Sequence, residues 1–350
     1  IVDWLRRARI PVKMICDPNQ SIYAFRGGVT DQLLRFSDTF DTGDRLPMSG
    51  NFRSTPAICA AIAALRQPTS RSNPDQPLGP FKSDPTPVHI FAYGGKGVSS
   101  AIGQKFRELV LGLDIQLSNA PVLSSTRRSA CKAIGQPILE AKRHKTLLLA
   151  QAATNYHFAF AIGNRRDALE RLHCIVLLVQ GAISSQGEYR RYIVDQGLED
   201  GRWRSDVIAV ANELRFESPD TADQWLRRAQ DLLAWGPNRS SIKQRLRAHS
   251  DLVAALKGAP VDSPPARTIH SAKGMEFPAV CVVLTSSNAG KILDHLQGQS
   301  GTGHEEDARK IYVGASRAER LLTLAVPNKQ AGRFKTLLAS TGCSVVLYEI

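Results

Sequence analysis

The sequence predicts an α/β protein, a mostly parallel sheet with helices on its faces, interrupted by an all-helical insertion. Three observations predict it. Short apolar strand patterns alternate with helical periodicity up to about residue 135 and again after residue 263. Between about 145 and 258 the strand signals fade and long segments of helical period follow one another. Hydrophobic residues make up 43% and charged residues 22% of the 350, a globular balance that excludes a chain disordered throughout.

Each element has its own local reason. Val12-Lys13-Met14-Ile15-Cys16 is a short apolar strand behind Pro11, breaking into the polar loop Asp17-Pro18-Asn19-Gln20. Ser54-Thr55-Pro56 starts a helix with a hydroxyl cap and a first-turn proline. That helix is apolar on nearly every side through residues 57–62, which predicts burial. Six prolines within 68–87 make an irregular connection. Strands at 88–92 and 121–124 alternate with helices at 99–111 and 128–135. Residues 167–172 and 222–229 exemplify the helical insertion, and the prolines at 260, 264 and 265 close it. A strand at 279–284, a Gly/Ser-rich connection at 286–303, a helix at 305–319 and a strand at 321–326 follow, then a last helix and strand. No internal repeat of 20–50 residues is present.

Charge and cysteine usage narrow the class. The formal net charge is +13, and residues 121–191 hold 11 Lys or Arg against 4 Asp or Glu. A basic surface of this kind suits a polyanion. The six cysteines lie at least 43 residues apart, with no CxxC pair and no Cys/His cluster at zinc spacing. That usage fits a reducing compartment and predicts a cytoplasmic location. The longest apolar run, residues 57–65, is nine residues, against the ~20 that a membrane-spanning helix needs. The chain opens without Met and without a signal-peptide core, so it is expected to begin part-way through a longer reading frame.

Four segments are polar and aromatic where a plain α/β domain would be bland. The first is Asp17-Pro18-Asn19-Gln20-Ser21-Ile22-Tyr23-Ala24-Phe25-Arg26-Gly27-Gly28, leaving a strand end, where ligands of open α/β sheets gather. The second is Asn51-Phe52-Arg53-Ser54-Thr55-Pro56, at a helix N-terminus. The third is Thr268-Ile269-His270-Ser271-Ala272-Lys273-Gly274-Met275-Glu276-Phe277, just before a strand. The fourth is the helix from Glu305 through Tyr312-Val313-Gly314-Ala315-Ser316-Arg317-Ala318-Glu319.

In this order and spacing the four resemble the later motifs of UvrD/Rep-type superfamily 1 DNA helicases, written GDpdQsIYxFRGA, NYRS, THsaKGLEF and a helix ending YVAxTRA. The resemblance runs from the first residues to about 326. It implies a RecA-like (P-loop NTPase-type) fold of two cores, with ATP between them and single-stranded DNA across both. On that pattern residues 1–45 end the first RecA-like domain, 46–144 and 263–350 make the second, and 145–262 are a helical subdomain inserted into it.

The resemblance also implies roles. Arg53 and Arg317 match the two arginines that reach the γ-phosphate, where a planar guanidinium can donate in a bidentate fork. Gln20 matches the γ-phosphate sensor that links ATP to the DNA site. Phe52 stands where a tyrosine stacks on adenine, and loss of the hydroxyl leaves the π-face intact. Glu276 matches the carboxylate that accepts from the ribose, and Gly274 accompanies it on the nucleotide side. Tyr23 and Phe25 match aromatics on which bases stack. Arg26, His270 and Lys273 match groups that contact the DNA backbone or couple it to the nucleotide. The partners implied are ATP with Mg, single-stranded DNA and duplex junctions, with no membrane.

Each residue taken singly has a plainer role. Tyr23 and Phe25 would be core aromatics, Arg53 and Arg317 surface ion-pair partners, His270 a structural histidine and Glu276 a solvated charge. The plain roles lose when all of these must coincide in order. Arg202-Trp203-Arg204 reads as a surface turn with a packed indole, Gly94-Gly95-Lys96-Gly97 lacks P-loop spacing, and Arg127-Arg128 would touch a DNA phosphate only as a minority reading. Departures from the family pattern are Cys16, Gly28, Gly314, Ser316 and Glu319. None removes a charge or ring that the mechanism requires.

No GxxxxGK[ST] occurs in the chain, and no DExQ-like pair follows an apolar strand. A P-loop supplies backbone N–H groups and a Lys to the phosphates, and the acidic pair holds Mg. Both lie upstream of the first segment in the family, so truncation is the simplest account. The expectation is then a 3′→5′ ATP-dependent DNA helicase as a whole, with this polypeptide inactive alone. The alternative is a non-enzymatic nucleic-acid-binding or scaffold relic of a helicase. The coding sequence upstream of Ile1 discriminates between them.

Overall fold

A computed structural model describes residues 2–13, 15–22, 35–36, 38–44, 46–68, 71, 74–95, 97–136, 144–161, 165–217, 219–234, 239–257, 263–299 and 303–350. The chain divides into two compact units, one of residues 1–96, 123–125 and 268–349, the other of residues 97–122 and 126–267.

The first unit begins with α1 (Val2–Arg7) and a 3-10 turn, Pro18–Gln20. A two-residue pairing follows, β1 (Gly50–Asn51) against β2 (Gln76–Pro77). Between them runs α2 (Pro56–Ala64), which starts where the cap chemistry places it. The Thr55 hydroxyl accepts from the Ile58 N–H and Pro56 fills the first turn. Seven of its nine residues are buried, as its unbroken apolar surface requires.

The sheet consists of β3 (Val88–Tyr93), β4 (Val122–Ser124), β5 (Ala266–Thr268), β6 (Phe277–Val283), β7 (Ala318–Pro327) and β8 (Val345–Glu349), in spatial order β5-β4-β6-β7-β3-β8. It is parallel throughout, as expected of a RecA-like core. β3 is buried at every position and β6 and β7 nearly so, which is why they read as continuous apolar runs. α12 (Ala289–Leu296), α13 (Glu305–Ala315) and α14 (Asn328–Ala339) supply Leu293, Ile311 and Phe334 to the same core as Ile90, Val280 and Leu322 of the sheet.

Two expectations need correction. The strand read at 12–16 is not formed among the described residues, because an apolar run becomes a strand only where a neighbour can pair with it. The helix read through 319 ends at Ala315, and β7 begins three residues before the expected 321. Pairing decides this: the Phe277 N–H donates to the Arg317 carbonyl at 2.9 Å, and Phe277 lies in register with Ala318. A sheet hydrogen bond there replaces another helical turn.

The second unit holds α3 (Ala101–Gly112) and α4 (Arg127–Ala133), close to their expected positions. Then come α5 (Lys145–Ala161), α6 (Arg166–Gln180), α7 (Tyr189–Asp195), α8 (Arg204–Glu213), α9 (Ala222–Leu233), α10 (Arg239–Arg245) and α11 (Leu252–Leu256). The described residues between 145 and 257 hold no strand. Trp225 is fully buried in the core of these helices, its indole N–H donating to the Leu214 carbonyl at 2.8 Å. Trp203 packs its ring on His173 with centroids 4.0 Å apart. No helix of the described residues is long and apolar enough to cross a membrane.

Candidate functional site

The polar loop after residue 16 is shaped by one carboxylate. Asp17 caps the 3-10 turn, its Oδ1 accepting from the Asn19 N–H at 2.9 Å. Its Oδ2 accepts both the Gln20 Nε2 at 3.0 Å and the Tyr312 hydroxyl at 2.9 Å. Asn19 is buried and its side-chain oxygen accepts from the Gln67 N–H at 3.4 Å. Gln20 is half-buried, its carboxamide tethered to the loop by this bond.

The second segment is held by an Asx turn. The Asn51 side-chain oxygen accepts from the N–H groups of Arg53 and Ser54, at 3.0 and 2.9 Å. The Ser54 hydroxyl donates to the Ala318 carbonyl at 2.8 Å, and the Thr55 N–H to the Glu319 carbonyl at 3.0 Å, fixing the segment to the start of β7. Gly79 passes so close that a Cβ on it would lie 2.1 Å from the Phe52 carbonyl oxygen, so only glycine fits. The Phe52 ring is left 71% exposed.

Arg53 donates from Nη1 to the Ser316 carbonyl at 3.0 Å and pairs through Nη2 with Glu276. Its Nε is buried with no hydrogen-bond partner among the described residues. Arg317 is 5% exposed and donates to the Val313 and Met275 carbonyls at 3.1 and 3.3 Å and to the Ser316 hydroxyl at 2.9 Å. Three of its five N–H groups are engaged, leaving two. Gly274, at φ +82°, makes the left-handed turn between Lys273 and Glu276.

Gln20, Phe52, Arg53, Lys273, Glu276 and Arg317 line one cavity of about 2240 Å³ in the first unit. Its electrostatics are those of crowded cations. Burial and then the neighbouring Arg53 lower the pKa of Arg317. Burial and then Arg317 lower that of Lys273. Burial and the nearby Glu276 carboxylate raise that of Glu319. A wall where cations repel one another, beside a buried guanidinium nitrogen with nothing to donate to, suits an oxyanion.

The structure therefore brings together Gln20, Phe52, Arg53, Lys273, Glu276 and Arg317, from all four sequence segments, with Gly274 in the turn between Lys273 and Glu276. His270 lies on a 3-10 turn, His270–Ala272, and bonds the Ile22 carbonyl at 3.0 Å. Tyr23, Phe25 and Arg26 lie outside the described residues. Three contributors carried no role from the sequence: Asp17, Tyr312 and Ser316. The signal for the first two was their place inside the motifs, and for Ser316 its departure from the pattern. What they touch is set by residues hundreds of positions away.

No curated protein matches the chain. Residues 257–329 match the family model of the UvrD-like helicase C-terminal domain, a span that takes in the 268–277 segment, α13 and the whole of β7. Over those residues the chain is similar to the C-terminal domain of UvrD-like helicases, which supports reading it as a UvrD/Rep-type C-terminal portion.

Proposed function

We propose that the chain is the C-terminal part of an ATP-dependent DNA helicase or translocase, moving 3′→5′ on single-stranded DNA by coupling ATP hydrolysis between two RecA-like cores. The observation that carries this reading is the convergence of Arg53, Lys273 and Arg317 on one cavity wall beside Glu276 and the exposed ring of Phe52.

The residues fit a nucleoside triphosphate. A transferring phosphoryl group spreads charge over its equatorial oxygens, so catalysis is positioning plus cationic stabilisation. Arg53 would offer its unpartnered Nε and Arg317 its two remaining N–H groups to the γ-phosphate. Phe52 would stack on the base and Glu276 accept from the ribose after releasing Arg53, with Gly274 setting the turn between them. Gln20 would sense the γ-phosphate. His270, Lys273 and the segment of Tyr23, Phe25 and Arg26 would face single-stranded DNA or a duplex junction. Mg would supply charge neutralisation on the phosphates, held mainly by a P-loop and acidic motif of the kind the family carries upstream of the first segment. Without them the 350 residues alone are inactive.

The test is DNA-stimulated ATPase of the chain expressed behind its upstream coding sequence with a P-loop. Arg53→Lys and Arg317→Lys keep the charge and lose the fork, so each should lower kcat by about 100-fold or more with a small change in KM. Wild-type turnover in both variants overturns the reading. A native start codon directly before Ile1 favours the relic instead.

A further inference from the structure

The segment that leads from Gln20 toward the aromatic stretch is gripped from three directions. The carbonyl oxygens of three consecutive residues each accept from a different place in the fold. Gln20 accepts from Lys273 Nζ at 3.0 Å, Ser21 from Arg309 Nε at 2.7 Å and Ile22 from His270 Nε2 at 3.0 Å. These contacts hold the backbone. The Gln20 side chain is held separately, by Asp17 Oδ2, and the Tyr312 hydroxyl donates to that same oxygen.

We infer that Tyr312 is a positioning residue for Gln20: through the shared Asp17 oxygen it holds the Gln20 carboxamide in one orientation and ties it to the helix that ends two residues before Arg317. The inference rests on the proposed role of Gln20 and adds the device that sets its geometry. Tyr312 lies on α13, five residues before Arg317, with its ring 5% exposed in the core of the first unit. Burial and the adjacent Asp17 carboxylate raise the phenol pKa, so the hydroxyl remains a donor at working pH. One carboxylate oxygen receiving two donors fixes both more firmly than either alone, because each limits how the carboxylate can turn. A shift of α13 that moves Arg317 must therefore move Asp17, and with it Gln20. Arg309, on the same helix, carries the same motion to the Ser21 carbonyl.

Tyr312→Phe removes the donor and keeps the buried ring. In the ¹⁵N-labelled 350-residue chain, the Gln20 side-chain amide pair is identified by its loss in Gln20→Ala. Tyr312→Phe should shift or broaden that pair, while glutamine amides of the second unit and the melting temperature stay in place. An unmoved Gln20 pair overturns the inference. In the complete ATPase, Tyr312→Phe should lower DNA-stimulated kcat about 3- to 10-fold, the scale of one lost hydrogen bond, with KM for ATP unchanged. The double variant with Gln20→Ala should be no slower than Gln20→Ala alone, since both act through one group. Additive losses in a slowed Gln20→Ala background overturn this inference alone. Full turnover in Gln20→Ala overturns the role of Gln20 and this inference with it. If Tyr312→Phe does not fold, Asp17→Asn weakens the same acceptor and is read in the same two ways.

Discussion

The two arginines of the cavity should differ sharply when truncated. Arg317 is 5% exposed and makes three hydrogen bonds from a charged donor, to the Val313 and Met275 carbonyls and the Ser316 hydroxyl. At about 1.5 kcal/mol for each such bond, Arg317→Ala removes roughly 4.5 kcal/mol. Relief of repulsion with Arg53 and Lys273 offsets part of this, leaving about 3 kcal/mol. Arg53 has one bond to a carbonyl and one ion pair to a Glu276 side chain that is 51% exposed. Solvent screens such a pair, so Arg53→Ala should cost about 1 kcal/mol. For a domain of this size each kcal/mol shifts Tm by about 2–4 °C, so the expected drops are about 6–12 °C and about 2–4 °C. Thermal unfolding of the 350-residue chain, followed by circular dichroism, reads both. Arg317→Lys should recover only part of the loss, since one ammonium cannot span three acceptors. Equal drops for the two alanine variants would refute the reasoning, because they would mean that Arg317 is not held by buried contacts.

Two further outcomes follow from the same structure. His173 is buried, stacked on Trp203 with its Nδ1 3.1 Å from the Tyr189 hydroxyl, and burial pulls its pKa down from 6.5 to about 4. Its folded pKa is depressed, so the stability it contributes is complete above about pH 6.5 and is lost as pH falls through about 4. His173→Phe keeps a stacked ring without the titration and should flatten acid unfolding in that window, followed by tryptophan fluorescence. An unchanged acid profile counts against the assignment. Among the cysteines, Cys16 is exposed and the other five are buried, with burial raising the pKa of Cys59 and of Cys343 to about 12. A thiol reagent at pH 8 should label one cysteine rapidly in the native chain and six in denaturant. Rapid native labelling of two or more would contradict the packing.

Much of the fold was legible from local pattern. The apolar runs of β3 and β6 announced buried parallel strands, and Thr55-Pro56 announced the start of α2 within a residue. Errors came where pairing overrides pattern. Residues 12–16 have strand composition without a strand, and the helix read to 319 gives way at Ala315 because the Arg317 carbonyl is taken by β6. The site was legible as a set of residues and not as a set of contacts. Lys273 and His270 carried expectations toward nucleic acid, yet their donor nitrogens meet the carbonyls of Gln20 and Ile22. Glu276 carried an expectation toward a ribose, and it holds Arg53.

The amino-acid sequence by itself determined most of the helices and strands away from the 12–16 segment and the end of α13, and which side chains with phosphate, ring or carboxylate chemistry the protein owns, because periodicity, caps and motif spacing act over a few residues. Tertiary structure alone decided that Arg53 would meet Glu276 across 223 positions and Tyr312 would meet Asp17 across 295. Such partners are chosen by how sheet and helices stack, and a hydrogen bond a few tenths of an ångström either way cannot be read from a one-dimensional string.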